Sequence, residues 1–186
     1  MVLASMHFGV IYAMFIKRSF APMKNAVTGY YLKVILVLSL LVTFILMLQG
    51  GYGSFGKALL DSVFQVVSFI STTGFGNADN ALWPMLANVF LIFAAFHCGC
   101  SGSTTGGIKA DRMLIIFKEI GNEFKRRLHP SSVFCTKVDD HTVNNEQISA
   151  VFLYFVAYVF ILFVSFMAVL LSGVEISDAF SGTLAS

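Results

Sequence analysis

The chain has 186 residues, of which 57% are hydrophobic and only 12% charged, and its 12 Lys and Arg nearly balance 10 Asp and Glu for a net charge of +2. With 20 Phe and a mean hydropathy of +0.81, this excludes an ordinary soluble domain, and the near-balanced charge makes nucleic acid an unexpected partner. The expected fold class is an all-α integral membrane protein, with the lipid bilayer as its surroundings. Three cysteines, Cys98, Cys100 and Cys135, are odd in number and lack metal-ligand spacing, so neither a disulfide framework nor a zinc site is expected.

In chain order, Met1 to Ile16 is the first apolar run. It has the length of a signal-peptide core but no basic leader and no small-residue cleavage site, so residues 1–18 are read as the end of a spanning helix. Because the sequence starts inside one helix and stops inside another amphipathic stretch, it reads as a piece of a larger protein. Residues 30–50 contain Tyr30 to Leu48, which meets the roughly 20 residues needed to cross a ~30 Å hydrocarbon core. Residues 54–79 begin with "SFGKALLDSVFQVVSFIS", whose Leu59, Leu60, Val63, Phe64, Val67 and Ile70 recur at helical spacing. Such a helix is only on the order of 25 Å long. It carries Lys57, Asp61 and Gln65, so it is expected to dip into the bilayer and turn back at "STTGFGNAD".

Residues 81–120 form a span only if Ala81 to Phe96 continues through "CGCSGSTTGGIK" into "MLIIFK", as one helix broken at residues 98–108. Gly99, Gly102, Gly106 and Gly107 each cost a continuous helix roughly 1 kcal/mol against Ala. Interleaved with Ser101, Ser103, Thr104 and Thr105, they predict a hinge or loop in a polar cavity. Residues 121–148 are charged, polar and interrupted by Pro130, the features of a cytoplasmic linker. Ser149 to Leu171, within residues 149–172, is the second outright span, and residues 173–186 look like the start of another short re-entrant helix.

If Tyr30 to Leu48 runs outward, eleven of the twelve Lys and Arg fall on the cytoplasmic side and Lys57 alone lies outside, a strong orientation signal. The opposite side collects Asp61, Asp79, Glu175 and Asp178. Asp61 and Asp79 are therefore candidate outer-mouth acids that would raise the local cation concentration.

Non-helical backbone at membrane depth is tolerated where it lines a cavity. In "STTGFGNAD", consecutive carbonyls could replace the water shell of a monovalent cation. Gly74 supplies the backbone freedom, Thr72 and Thr73 supply hydroxyls, and Phe75 would wedge the loop. An ordinary re-entrant turn uses the same residues, and the residues alone leave both open. For "GSTTGGIK", a phosphate-binding loop is disfavoured, because Ile108 stands where its Lys should be and no soluble strand precedes it. Close helix packing through small residues remains compatible with a hinge. His97 is read as hydrogen-bonded within the bundle ahead of facing a pore, Cys98 and Cys100 as facing different sides if helical, and Lys109 and Arg112 as solvated cytoplasmic anchors ahead of contacts to the glycine-rich loop or a partner. A membrane-embedded enzyme would need a carboxylate near His97, Cys98 and Cys100, and the spans offer none. A structural module with a degenerate filter is the other alternative.

The stretches "STTGFGNAD", "HCGCSGSTTGGIKADRMLIIFK" and "FKRRLHPSSV", in this order and spacing, resemble the third repeat of the Trk/Ktr potassium-transporter superfamily, nearest its TrkH-type bacterial subunits. The resemblance covers most of the chain. It implies a helix, pore helix and helix repeat, one of four that surround a potassium path in the inner membrane. It also implies a selectivity-filter strand at Thr72, Thr73, Gly74, Phe75 and Gly76, with potassium at Thr72, Thr73 and Gly74, and a gating loop at Gly99, Cys100, Ser101, Gly102, Ser103, Thr104, Thr105, Gly106 and Gly107. Potassium would be a substrate, with no covalent cofactor. The implied partners are a cytoplasmic nucleotide-binding regulatory ring of the TrkA or KtrA kind and a second copy of the chain in a homodimer.

Overall fold

The computed structural model describes residues 1–16, 18, 25–49, 51–128, 135–138, 141–173 and 182–183. Among them are six α-helices: α1 (Phe8–Phe15), α2 (Ala26–Gln49), α3 (Phe55–Ile70), α4 (Met85–Phe96), α5 (Ala110–Leu128) and α6 (Asn145–Leu170). The re-entrant helix expected within residues 173–186, together with Lys17, Lys24, Pro130, Glu175 and Asp178, falls on residues outside this description, Gly173, Gly182 and Thr183 excepted.

The first apolar run is helical only from Phe8. Residues 2–5 form turns, His7 caps α1 through its Nδ1, which accepts from the Gly9 amide at 2.8 Å, and the Ser5 carbonyl accepts from the Cys100 amide at 2.8 Å. Both α2 and α6 start about a turn before the apolar runs predict. For α6 the cause is a capping box, in which the Asn144 side chain accepts a backbone amide and the Gln147 side chain accepts from the Asn144 amide at 3.2 Å. By length and composition α2 and α6 could each cross a membrane. The 16-residue α3 is the short helix expected to turn back.

Ala81 does not open α4. Asp79 accepts from the Ala81 amide at 3.0 Å and caps a single 3₁₀ turn, Asn80–Leu82, after which Pro84 fixes the backbone just ahead of Met85. At the far end α5 runs on to Leu128, past residue 120 where a linker was expected to begin. Asp111 lies in its first turn and Lys125, Arg126 and Arg127 in its last, matching the helix dipole at both ends. Arg126 also bridges Glu119 at 2.9 Å and Glu123 at 3.0 Å, and these neighbouring carboxylates, Glu123 above all, raise the affinity of its exposed guanidinium for its proton. The linker then folds back on α5. Lys118 donates to the Lys137 carbonyl at 2.7 Å and Asn122 to Thr136 at 2.8 Å, while β1 (Lys137–Val138) pairs antiparallel with β2 (His141–Thr142).

The core lies where α1, α2, α3 and α4 meet. Val42, Leu46, Ala58, Val66, Ile70, Ala87 and Leu91 are almost fully buried there, with Trp83 at one end and Cys100 and Ala110 at the other. A smaller cluster of Ile108, Met113 and Ile116 packs against Val151, Phe152, Phe155 and Tyr158 of α6. The broken segment between α4 and α5 sits between these two clusters.

Candidate functional site

Along α3, Asp61, Gln65 and Ser68 follow one another at i, i+4 and i+7 and so share one face of an otherwise apolar helix. All three are buried. Asp61 receives the amide of Asn77 at 2.7 Å and the hydroxyl of Tyr52 at 3.1 Å, and Gln65 donates to the Ala78 carbonyl at 2.9 Å. Asp61 and Gln65 thus hold the far end of residues 71–78, and the Ser68 hydroxyl lies 3.4 Å from that of Thr73 at the near end. Asp61 is therefore a buried brace at 6% exposure rather than an open acid at a mouth, whereas Asp79 is exposed and serves as the cap described above.

Between these anchors the chain reverses sharply. Ser71 ends α3, its hydroxyl donating to the Val67 carbonyl at 2.6 Å and lying 3.1 Å from the Thr73 hydroxyl, while the Thr73 amide donates to Ser68 at 3.2 Å. Thr72 has φ +49° and Gly74 φ +70°. For Gly74 the left-handed turn costs little, but for β-branched Thr72 it is strained. A cavity of about 280 Å³ is lined by Gln65, Ser68, Thr72, Gly74, Phe75 and Gly76 among others. Phe75 is 65% exposed among the described residues, so the wedging expected of it is not seen there.

Thr72 also lines a second cavity, of about 440 Å³, together with Cys98, Gly106, Gly107 and, from α6, Tyr158, Leu162 and Ser165. The structure thus brings Thr72 of the "STTGFG" turn and Gly106 and Gly107 of the glycine-rich break to the wall of one cavity of mixed polar and apolar lining. The break itself is an ordered, self-bonded loop. His97 and Ile108 form a parallel bridge, the Cys98 amide donates to Ile108 at 3.2 Å, and the Ala110 amide donates to Gly99 at 3.1 Å, so α4 and α5 are clasped at its neck. Inside, the buried Thr105 hydroxyl accepts from the Gly99 amide at 3.1 Å and lies 2.8 Å from that of Ser103. Gly99 is required by proximity, since a Cβ there would lie 2.4 Å from the Ser5 carbonyl and 2.8 Å from the Thr105 hydroxyl. Cys100 and Ser101 face a third cavity, with His7, Thr28 and Asp111.

His97 is buried and hydrogen-bonded, its Nε2 lying 2.7 Å from the Tyr30 hydroxyl and its ring among Phe93 and Phe117. Lys109 and Arg112 are not solvated anchors. The Lys109 ammonium folds into the loop, donating to the carbonyls of Ser103 at 3.1 Å and of Thr105. The Arg112 guanidinium lies 3.8 Å from the centre of the Tyr154 ring on α6. Sequence reasoning missed the bracing by Asn77 and Tyr52 and the wall formed by Tyr158. The polar stripe on α3 was the available signal for the first, and nothing in the local sequence announces the second.

Residues 1–180 match the TrkH family model, described as a cation transport protein. The chain is 35% identical over 156 residues to the Trk system potassium uptake protein TrkH of Salmonella typhimurium, covering 84% of this chain and 32% of that relative. It is 28% identical over 173 residues to the Trk system potassium uptake protein TrkG of Escherichia coli, covering 92% of this chain and 35% of that relative. The crystal structure of the potassium transporter TrkH from Vibrio parahaemolyticus is similar with a TM-score of 0.90 and 29% identity, covering 99% of this chain and 40% of that one. The chain spans about a third of the length of the curated relatives it matches.

Proposed function

The chain belongs to the TrkH family of cation transport proteins and is an all-α integral membrane protein, and from that premise we propose that the full-length protein is the translocating subunit of a potassium uptake system in the bacterial inner membrane. The observation that carries this reading is the cavity lined both by Thr72 of the turn and by Gly106 and Gly107 of the break. A dehydrated potassium ion needs oxygens in place of water, and in this proposal Thr72, Thr73, Gly74, Phe75 and Gly76 present them as one strand of a filter, with the ion held at Thr72, Thr73 and Gly74. The C-terminal, partially negative end of α3 adjoins this strand, which favours a cation there. Asp61 and Gln65 keep the strand in shape through their bonds to Asn77 and Ala78.

The loop Gly99 to Gly107 is proposed as the gate beyond the filter. Its internal hydrogen bonds support one defined arrangement, and its glycines allow another. Transport, not catalysis, is the activity proposed, with potassium as substrate and no covalently bound cofactor. A nucleotide-binding regulatory ring of the TrkA or KtrA type on the cytoplasmic face, and a homodimer, complete the proposal; the basic end of α5 and the folded linker offer a surface for the former.

The test is potassium uptake by a potassium-uptake-deficient bacterium carrying the full-length protein. Wild type restores uptake, Gly74→Ser lowers uptake or its preference for potassium over sodium, and deletion of Ser101 to Thr105 raises leak. No uptake by wild type, or a Gly74→Ser protein indistinguishable from it, overturns the reading.

A further inference from the structure

Lys109 stands immediately before α5, at the end of a helix where its dipole disfavours a cation. Among the described residues no carboxylate forms an ion pair with it, and Oδ1 of Asp111, two positions on, is buried without a hydrogen-bond partner. The charge is instead met by dipoles alone. The Lys109 ammonium donates to the carbonyl oxygens of Ser103 and Thr105 and lies 3.5 Å from the Thr105 hydroxyl, and Thr105 is only 5% exposed. Two backbone carbonyls and a threonine hydroxyl around a single positive charge are oxygens of the kind that replace part of the water shell of a monovalent metal cation. The strand at Thr72 to Gly74 offers the same kinds of oxygen.

We infer that the Ser103 and Thr105 carbonyls and the Thr105 hydroxyl form a monovalent-cation site within the loop, and that the Lys109 ammonium fills it as a tethered ion. This inference rests on reading the loop as a gate. With the ammonium in place, the carbonyls of residues 103 and 105 point at one charge and the loop keeps the shape described. When the ammonium leaves, those carbonyls repel one another unless another cation takes the place. Lys109 is thus a positioning residue, and potassium reaching the loop competes with it for the same oxygens. A lysine that merely anchored α5 in solvent would have no such competition.

The test uses the purified full-length protein with Cys135→Ser, and follows labelling of Cys98 and Cys100 by a small methanethiosulfonate reagent in potassium chloride or choline chloride of equal ionic strength. Removing a charged hydrogen-bond donor with Lys109→Gln should speed labelling in choline roughly tenfold or more, and potassium should bring the rate back toward wild type. Lys109→Arg, which keeps the charge, should stay near the wild-type rate. In the wild-type protein, acetylation of the Lys109 amine by an amine-reactive ester, read by mass spectrometry, should run faster in potassium than in choline, and this measurement needs no substitution at the loop. Labelling of Lys109→Gln at the wild-type rate, acceleration that potassium does not reverse, or acetylation equal in the two salts overturns the inference. Neither readout depends on flux, so a failed uptake assay would count against the transport reading alone.

Discussion

Gly74 has φ +70° and, among the described residues, nothing within 4 Å of where a Cβ would sit. A side chain there meets no clash, only the cost of the left-handed backbone, about 1–2 kcal/mol. Gly74→Ser is therefore expected to leave the protein folded, with a melting temperature close to wild type, while changing the carbonyl directions on which selectivity depends. A folded Gly74→Ser protein with unaltered potassium preference would refute that division. Gly99 is the opposite case, because its Cβ would press on the Ser5 carbonyl at 2.4 Å. Gly99→Ala should destabilise the protein by about 1–3 kcal/mol, the usual cost of overpacking, and a thermal unfolding midpoint matching wild type would show that the loop has room to spare. Thr72, with φ +49°, sits in a conformation that costs of order 1–3 kcal/mol and persists only where its surroundings hold it.

At the level of the element, α3 works as a bracket. Asp61→Ala removes the acceptor of the exposed Asn77 amide and the partly exposed Tyr52 hydroxyl, both of which water can then serve, so the expected loss is that of ordinary hydrogen bonds, about 0.5–1.5 kcal/mol each. The expected outcome is a lower unfolding midpoint together with weaker potassium selectivity, and Asp61→Asn, which keeps one acceptor oxygen, should be milder in both. The helical spacing of Leu59, Val63, Val67 and Ile70 made α3 legible in the sequence, and the four glycines made the break after α4 legible. The extension of α5 to Leu128 was obscured because its stabilising features, the Arg126 bridges and the charges at its two ends, are polar and resemble a linker's composition. For Lys109 the sequence left two destinations, solvent or the glycine-rich loop, and the choice between them was not legible, since it requires the chain to reverse over residues 103–109, a property of the folded loop and not of any periodicity. Between α5 and α6, the guanidinium of Arg112 over Tyr154 is a contact at partial burial, where cation–π pairs contribute about 0.5–2 kcal/mol. Arg112→Ala should loosen α6, read as faster proteolysis or hydrogen exchange at its N-terminal half, whereas Arg112→Lys should retain part of the effect.

Across the whole molecule, a cavity shared by both glycine-rich interruptions explains why so apolar a chain interrupts itself twice with Gly, Ser and Thr. Both interruptions line the same space, and Thr72 belongs to the walls of two cavities at once. A substitution at Thr72, such as Thr72→Val, is therefore predicted to alter ion preference and the rate of gating together, as measured by uptake in mixed potassium and sodium, and a change confined to one would separate the two cavities functionally. The loop's dock on the N-terminal turns has a further consequence. Cys100 bonds to Ser5, Gly99 fits only against Ser5, and Ser5 in turn bonds to Tyr31 on α2. Segments far apart in the chain have been tailored to one another, so residues 97–109 are not a portable cassette. Chimeras that transplant this loop from a relative should assemble well only when the turn around Ser5 is exchanged with it, and recombination in nature is expected to have inherited the two as a pair.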